Sequence, residues 1–245
     1  MDKIYRLRPA QDTTLDELKS GYLWFSRPTE FNDVEDANII AFTDKNENIK
    51  DAFDRVFSNH SFLAEELSYI GICCFTDILP KQEKWKRFPK GNKGIFIEYD
   101  KTKVEQYFVD KHYLGDCFRE VEYLDNQLLI ESSTNDGYDV LWEVYEDGCL
   151  YLSIRGDIER DIKKMDLFIL KLLTRINSRF KEQKELRIIL SGIRIPTKDS
   201  HIKGYKIPLP SDFITRIYIQ DTTPDTFVSE LKKIIDGDKI QLIKD

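Results

Sequence analysis

Three polar side chains of different chemistry alternate along residues 183–187. These side chains are those of Gln183, Glu185 and Arg187. The positions that alternate with them from 186 onward are apolar: Leu186, Ile188 and Leu190. A strand places alternate residues on opposite faces, so these three groups are expected to share one face. Such a row can bind a ligand hydroxyl or stabilise a developing cation, or it can form a salt-bridged face toward solvent. The spacing alone leaves both interpretations open.

A second candidate segment, residues 81–94, combines basic side chains with two aromatic rings. It carries six Lys or Arg residues against one Glu, and Trp85 and Phe88 have the i, i+3 spacing of one helix face. Basic groups bind phosphates and aromatic rings stack on bases, so the segment suits a ligand that carries both. The alternative interpretation is a solvated helix whose Trp85 and Phe88 cover the core.

The third candidate is a polar loop that follows an aromatic strand-like segment. It contains Ser26, Pro28, Phe31, Asn32 and Asp33. Asn and Asp side chains bond to nearby backbone groups, so a structured turn explains the pattern. Loops also carry binding residues, and Asn32 and Asp33 are therefore candidates for contacts with a ligand as well.

Composition limits the class of protein. The chain has 245 residues, of which 41% are apolar and 33% charged, which is typical of a globular protein with one sizeable core. The formal net charge of −7 disfavours nucleic-acid binding through the overall field, although a local basic patch can still act. No apolar run approaches the roughly 18 residues that a membrane span needs, so no membrane association is expected.

Cysteine and histidine usage predicts a reducing compartment and no metal site. Cys73, Cys74, Cys117 and Cys149 form no CxxC pair, and adjacent Cys73 and Cys74 would point to opposite faces of a strand. The N-terminal sequence contains no secretion signal, so we expect reduced thiols in the cytoplasm. His112 and Cys117 are both metal-ligand types, but no second pair completes a site.

The order of the elements predicts one α+β domain over residues 1–245 rather than strict βαβ alternation. The predicted strands are 3–9, 22–26, 69–76, 94–100, 118–124, ELRIIL, KGYKIPL, ITRIYIQ and KIQLIKD. The predicted helices are TTLDELKSG, with a Thr14–Glu17 capping box and Gly21 as its end, then one or two helices over 47–68, and further helices over KTKVEQYFVDKHY, 137–147, 157–181 and 223–235. The helix over 157–181 has the clearest apolar stripe.

Several of these segments together resemble a bacterial family known as domain of unknown function 2971. The segments are LWFSRPTEFND, GICCFTD with KWKRFPKGNKGIFIEYD, REVEY and KEQKELRII, in an order that spans most of the chain. Val34 stands where the family has Pro, and Gln183 stands where it has a second Glu. The best-matching residues are Tyr5, Phe25, Ser26, Pro28, Phe31, Asn32, Asp33, Asp36, Phe75, Trp85, Phe88, Gly94, Tyr123, Lys184, Glu185 and Arg187.

At a coarser level the pattern is similar to that of ADP-ribosyltransferases. Those enzymes have a basic residue on the first strand, a later strand that ends in Ser or Tyr, and a late strand with a catalytic Glu. Arg6 or Arg8, Ser26 and Glu185 would take these places here, and Gln183 matches the Gln-x-Glu variant. The resemblance implies a split, mixed or antiparallel sheet flanked by helices.

The resemblance also implies an enzyme that cleaves NAD, its co-substrate, at the nicotinamide–ribose bond. This cleavage passes through an oxocarbenium-like state, which a carboxylate on a ribose hydroxyl stabilises. Glu185 would be that carboxylate, Gln183 would contact the acceptor, and Arg187 completes the catalytic group.

The cofactor-binding residues implied by the resemblance come from three other segments. Arg6 or Arg8 would hold the pyrophosphate or a ribose, and Ser26 would orient the nicotinamide ribose. Trp85 or Phe88 would stack on a ring. The protein would then be a cytoplasmic toxin or phage-defence effector with a protein or nucleic-acid acceptor, and an antitoxin or defence protein would be its partner.

Two interpretations from other classes stay open. The chain would act as a non-catalytic nucleotide or nucleic-acid sensor through Lys84, Trp85, Arg87 and Phe88, with salt-dependent binding and no turnover. Alternatively, it would be a partner-binding domain whose polar rows are all surface. An arrangement of Arg6, Ser26, Trp85 and Glu185 around one cleft would favour the enzyme.

Overall fold

The structure, a computed structural model, describes residues 2–30, 70–78, 94–108, 117–124, 143–144, 150–151, 170, 173–190, 203–220 and 222–243. The helix predicted over 47–68 and the basic aromatic segment 81–93 lie outside the described residues. Within them the chain is a mixed α+β protein with a mostly antiparallel sheet, which confirms the predicted class. No helix in these ranges has the length and apolar character needed to cross a bilayer.

Most predicted strands and helices form close to the expected bounds. The strands are β1 Lys3–Pro9, β2 Tyr22–Ser26, β3 Gly71–Thr76, β4 Gly94–Asp100, β5 Arg119–Glu120, β6 Glu122–Leu124, β7 Glu143–Val144, β8 Leu150–Tyr151, β9 Arg175–Asn177, β10 Glu185–Leu190, β11 Gly204–Pro208, β12 Ile214–Gln220 and β13 Ile240–Ile243. The described helices are α1 Asp12–Ser20, α2 Lys101–Phe108 and α3 Asp225–Ile234.

β3 is the strand around which the main sheet is organised. β10 runs antiparallel along one whole edge of β3. β1 and β2 share the other edge, because Tyr5 pairs with Thr76 and Ser26 pairs with Ile72. The sheet continues from β1 to β4, β12 and β13, and from β2 to β11. β1 and β2 therefore separate from each other at β3, and α1 connects them.

The side chains of this sheet lie on two faces with different surroundings. The face that includes Ile4 and Phe25, called here the Ile4 face, packs against α1, α2 and α3 in the main hydrophobic core. The face that includes Tyr5 and Phe96, called here the Tyr5 face, has a separate small cluster of buried rings. Because the side-chain period of a strand is two, neighbouring residues of one strand serve these two different environments.

Two predicted helices are wrong where the structure describes them. The helix over 157–181 ends near Leu173, because β9 follows and pairs in parallel with β6. A 3-10 turn then begins, in which the Asn177 side chain accepts a hydrogen bond of 2.9 Å from the Arg179 N–H. The helix over 137–147 is wrong at β7, which pairs with β8. Apolar residues keep spacings of three and four through these short strands, so the sequence pattern predicted helices in their place.

The start of α1 also differs from its prediction. The proposed capping box of Thr14 and Glu17 is wrong, because the helix begins at Asp12 and the Thr14 hydroxyl donates to the Pro9 carbonyl at 2.6 Å. Gly21 ends the helix as predicted, in a left-handed conformation with φ of 63°. The Glu17 side chain therefore does not cap the helix and instead contacts Arg6 and Arg8 in the core.

Glu17, which is 1% exposed, lies between two arginines of β1. Arg6 donates one hydrogen bond to Oε1 of Glu17 and another, of 2.8 Å, to the carbonyl oxygen of Trp24 in β2. The Nε of Arg8 lies 2.7 Å from Oε2 of Glu17 in an ion pair without hydrogen-bond geometry. This cluster joins β1, α1 and β2 at the place where the two strands separate.

We expect Glu17→Gln to destabilise the protein by about 3–5 kcal/mol, because it leaves two guanidinium groups in the core without a counter-charge. The measurement is urea unfolding followed by circular dichroism. Asp16→Asn is the matched control, because Asp16 is the preceding residue and its ion pair with Lys206 is exposed; its effect should be small. Equal losses for the two variants would contradict a structural role of the cluster.

A pH dependence follows from Cys73, which lies on the Ile4 face beside Arg6. Burial raises the pKa of the Cys73 thiol to about 12, and the Arg6 guanidinium offsets only part of that rise. An unfolded cysteine titrates near pH 8.5, so above that pH the unfolded chain releases a proton that the folded chain keeps. The free energy of unfolding should therefore fall between roughly pH 8.5 and 12, by up to about 1.4 kcal/mol per pH unit from this thiol.

Urea unfolding at pH 8 and pH 10 checks this expectation. The difference in free energy between the two pH values should be smaller in Cys73→Ala than in the wild type, even though the substitution also removes core volume. The same difference in both proteins would show that Cys73 does not contribute.

Candidate functional site

A row of polar residues crosses the Tyr5 face at right angles to four strands. Glu185 on β10 pairs with Thr76 on β3, Thr76 pairs with Tyr5 on β1, and Tyr5 pairs with Glu98 on β4. Adjacent strands are about 4.8 Å apart, so the row spans roughly 14 Å from Glu185 to Glu98. The row brings together residues from four separate parts of the sequence.

A pocket of about 110 Å³ lies at the Glu185 end of this row. A cavity of about 150 Å³ holds one benzene ring, so this smaller pocket admits at most a single ring. The lining residues are Tyr5, Leu7, Cys74, Phe75, Thr76, Phe96, Gln183 and Glu185. Apolar rings and a few polar groups are the usual composition of a small-molecule site.

The Glu185 side chain is held at this pocket by a buried arginine. The Nε of Arg187 donates a hydrogen bond of 2.6 Å to Oε1 of Glu185, and Nη1 of Arg187 donates one of 2.6 Å to the Leu173 carbonyl oxygen. Arg187 is 0% exposed, so this ion pair is shielded from water on the arginine side. Among the described residues the one hydrogen bond to the Glu185 carboxylate is that of Arg187 to Oε1, and Glu185 lines the pocket.

The backbone of Glu185 is fixed from the β5–β6 segment. Its N–H donates to the Tyr123 hydroxyl at 2.7 Å, and its carbonyl accepts from the Val121 N–H at 3.1 Å. The strand predicted over 118–124 is therefore two short strands that meet beside Glu185. β5 pairs with β10, and β6 pairs with β9.

Gln183 reaches the pocket by a different route from the one that the sequence predicted. It ends a 3-10 turn and does not lie on β10, so the prediction of one three-residue strand face is wrong. Lys184 turns the chain between Gln183 and Glu185 with a left-handed φ of 43°. The Thr76 hydroxyl donates a hydrogen bond of 2.7 Å to the Gln183 carbonyl oxygen, which fixes this turn against β3.

The other end of the row is a buried carboxylate, Glu98. Its oxygens accept hydrogen bonds of 2.6 Å from the Thr215 and Tyr218 hydroxyls, and Nζ of Lys3 lies 2.9 Å from Oε1. Burial by itself would raise the pKa of Glu98, but these hydrogen bonds and the Lys3 ammonium outweigh it and lower the pKa. Glu98 is therefore a charged group at neutral pH.

Arg6 and Arg8 lie on the opposite face of the sheet from Glu185. Both share the Ile4 face and contact Glu17, whereas their neighbour Tyr5 lines the pocket. The expected convergence of Arg6 or Arg8 with Glu185 in one cleft is therefore wrong. The physical reason is the alternation of β1, which sends even and odd positions to different faces.

The remaining predicted site residues are only partly described. Ser26 pairs with Ile72 and so shares the Tyr5 face, but Ile72 is four residues from Thr76 along β3, roughly 13 Å from the Glu185 end of the row. Asn32, Asp33, Trp85 and Phe88 lie outside the described residues, as do Asp36, Lys84, Arg87, His112 and Cys149.

No cluster of three metal-ligand side chains occurs in the described ranges. Cys117 lies in the hydrophobic core. Cys73, Cys74 and Cys117 form no disulfide, and Cys73 and Cys74 point to opposite faces of β3 as predicted.

Sequence reasoning missed Thr76 and Glu98 of the row, the pocket residue Phe96, and the groups that hold Glu98, which are Lys3, Thr215 and Tyr218. Tyr5 and Tyr123 were noticed as matching residues but received no role. A hydroxyl or carboxyl at one face of each strand was the available signal, but the register that aligns these strands is not visible in the sequence.

Comparisons with protein-family models, curated proteins and solved structures find no match. The resemblances to domain of unknown function 2971 and to ADP-ribosyltransferases therefore stay predictions.

The left-handed conformation of Lys184 gives a test of the local geometry. We expect Lys184→Gly to leave the free energy of unfolding nearly unchanged, because glycine adopts φ of 43° without cost but gains freedom in the unfolded chain. Lys184→Val should destabilise by about 1–2 kcal/mol, because a β-branched residue resists this conformation. Since Lys184 is exposed, no buried contact is lost in either variant. Equal effects of Gly and Val on urea unfolding would contradict the left-handed turn.

Proposed function

We propose that the chain cleaves NAD at the nicotinamide–ribose bond, as an ADP-ribosyltransferase-like enzyme or an NAD glycohydrolase. The observation that supports this proposal is the Glu185 carboxylate, which Arg187 fixes at the rim of a ring-sized pocket that Gln183 also lines. A carboxylate held at a pocket suits a ribose hydroxyl next to a carbon that becomes positive.

The proposed reaction breaks the bond between the ribose and the nicotinamide nitrogen. Nicotinamide leaves as a neutral molecule with the bonding electron pair, and the ribose carbon develops the charge of an oxocarbenium ion. The Oε2 atom of Glu185 would accept a hydrogen bond from the ribose and stabilise that charge. Water or an acceptor side chain would then add to the ribose carbon and lose a proton, and Gln183 would orient this nucleophile.

The phosphate-binding part of the proposal differs from the expectation drawn from the sequence. Arg6 and Arg8 are bound to Glu17 on the other face, so the proposal gives them no contact with NAD. Ser26, Asn32, Asp33, Trp85 and Phe88 stay candidates for the nucleotide end of the ligand. A protein or nucleic-acid acceptor, a role as a toxin or phage-defence effector, and an antitoxin or defence partner belong to the same proposal.

One observation favours a second function, nucleotide binding or sensing without turnover. The Arg187 guanidinium offsets the charge of Glu185 at 2.6 Å, and a paired carboxylate stabilises a developing cation less than an unpaired one does. A binding site needs only the hydrogen bonds of Glu185, Gln183 and Tyr5. In that case NAD or another nucleotide would bind in the pocket but stay intact.

Nicotinamide release from NAD distinguishes these functions. We expect the wild type to release nicotinamide, alone or with cell extract that supplies an acceptor, and Glu185→Gln to lose at least about 100-fold in rate, because the amide lacks the negative charge. The measurement is chromatography of the products. Glu120→Gln is the matched control, because Glu120 is an exposed carboxylate on the neighbouring strand β5.

The possible results distinguish the enzyme from the sensor and test the role of Glu185. A normal rate in Glu120→Gln and a large loss in folded Glu185→Gln would support the enzyme. Binding of NAD by the wild type without any release or modification would favour the sensor. Equal rates in wild type and Glu185→Gln would exclude Glu185 as the stabilising carboxylate.

A further inference from the structure

Tyr5 connects the Glu185 pocket to the buried Glu98 cluster. Its side chain lines the pocket, and its two cross-strand partners are Thr76 on one side and Glu98 on the other. The Tyr5 and Tyr218 rings lie 6.2 Å apart at 57°, which is within the range of favourable aromatic pairs. Tyr5 therefore lies between the pocket that Glu185 lines and the buried carboxylate of Glu98.

Glu98 is held rigidly by groups that do not reach the pocket. Thr215, Tyr218 and Lys3 occupy its two oxygens, and Glu98 is 1% exposed. A charged group so completely bonded has little freedom to move, because leaving these partners would cost several hydrogen bonds inside the protein. Its field acts on whatever lies next to it, and Tyr5 is its direct partner on β1.

The Tyr5 phenol stays protonated under this influence. Burial, and then the negative charge of Glu98, raise the pKa of Tyr5 to about 12. A neutral phenol can donate and accept hydrogen bonds at once, and an adjacent carboxylate favours one orientation of its O–H. The ring also gives the pocket an aromatic wall beside Phe96.

We propose that Tyr5 is a ligand-binding residue of the pocket and that Glu98 is a positioning residue that acts on the ligand through the Tyr5 hydroxyl. This inference rests on the proposed function for its choice of ligand, a small ring with polar substituents such as nicotinamide. It extends that function to two residues that had no role in the sequence interpretation. It also gives the buried carboxylate of Glu98 a role, since Glu98 contributes orientation rather than a direct contact with the ligand.

The experiment is a double-mutant cycle on nicotinamide affinity, measured by calorimetry or by NMR titration. Tyr5→Phe should weaken binding about fivefold, which corresponds to one net hydrogen bond. Glu98→Gln introduced into the wild-type protein should weaken nicotinamide binding to a similar extent. Introduced into the Tyr5→Phe variant, it should cause no further loss of affinity, because the two residues act as one unit. Tyr22→Phe is the control, because Tyr22 bonds to Asp16 at a distant part of the sheet and should leave the affinity unchanged.

Independent losses from the two variants would overturn the positioning role, since a structural effect of Glu98→Gln would weaken binding with or without the Tyr5 hydroxyl. If Glu98→Gln does not fold, Tyr218→Phe takes its place, because it removes one hydrogen bond to Glu98 and should also be silent in Tyr5→Phe. Unchanged affinity in folded Tyr5→Phe, or no binding of nicotinamide by the wild type, would overturn the inference.

The test is separable from the proposed function because it measures binding and not turnover. Coupled losses of nicotinamide affinity without NAD cleavage would support the inference and contradict the enzyme. NAD cleavage with unchanged affinity in Tyr5→Phe would support the enzyme and contradict the inference.

Discussion

The register of β3 is the constraint on which the candidate site depends. Thr76 pairs with Tyr5 on one side and with Glu185 on the other, and its hydroxyl holds the turn that delivers Gln183. Because the side-chain period is two, a slip of one residue at either edge would move its partners to the opposite face. The pocket therefore exists only in this register, and the buried strands β3 and β10 stabilise that register through the hydrophobic core.

β1 serves two separate purposes through its alternation. Its even positions, Arg6 and Arg8, bind Glu17 and close the region where β1 and β2 separate. Its odd position Tyr5 lines the pocket on the other face. The arginines that the sequence pattern assigned to a ligand are thus part of the core. The basic groups that share a face with Glu185 include Lys3, Arg187 and Arg216. Lys3 contacts Glu98 and Arg187 contacts Glu185.

The sequence was sufficient for the elements whose local pattern and surroundings agree. Alternation in β1, the apolar run of β3 and the glycine that ends α1 led to correct predictions. The segment that contains β9 was misread because its apolar residues Leu173, Ile176 and Phe180 have helical spacing, and only the pairing of β9 with the parallel strand β6 makes it a strand. Glu185 was found by its type and resemblance. Its true neighbours Thr76, Tyr5 and Glu98 depend on long-range pairing, which no local pattern contains.

We propose that ligand binding takes place on the Tyr5 face at Glu185 and not at the arginines of β1. Backbone amide NMR shifts during a nicotinamide titration test this claim most directly. We expect saturable shifts at Tyr5, Thr76, Gln183 and Glu185, with little change at Glu17 and Trp24. Shifts that centre on Arg6, Glu17 and Trp24, or no saturable shift at Glu185 and its neighbours, would contradict it.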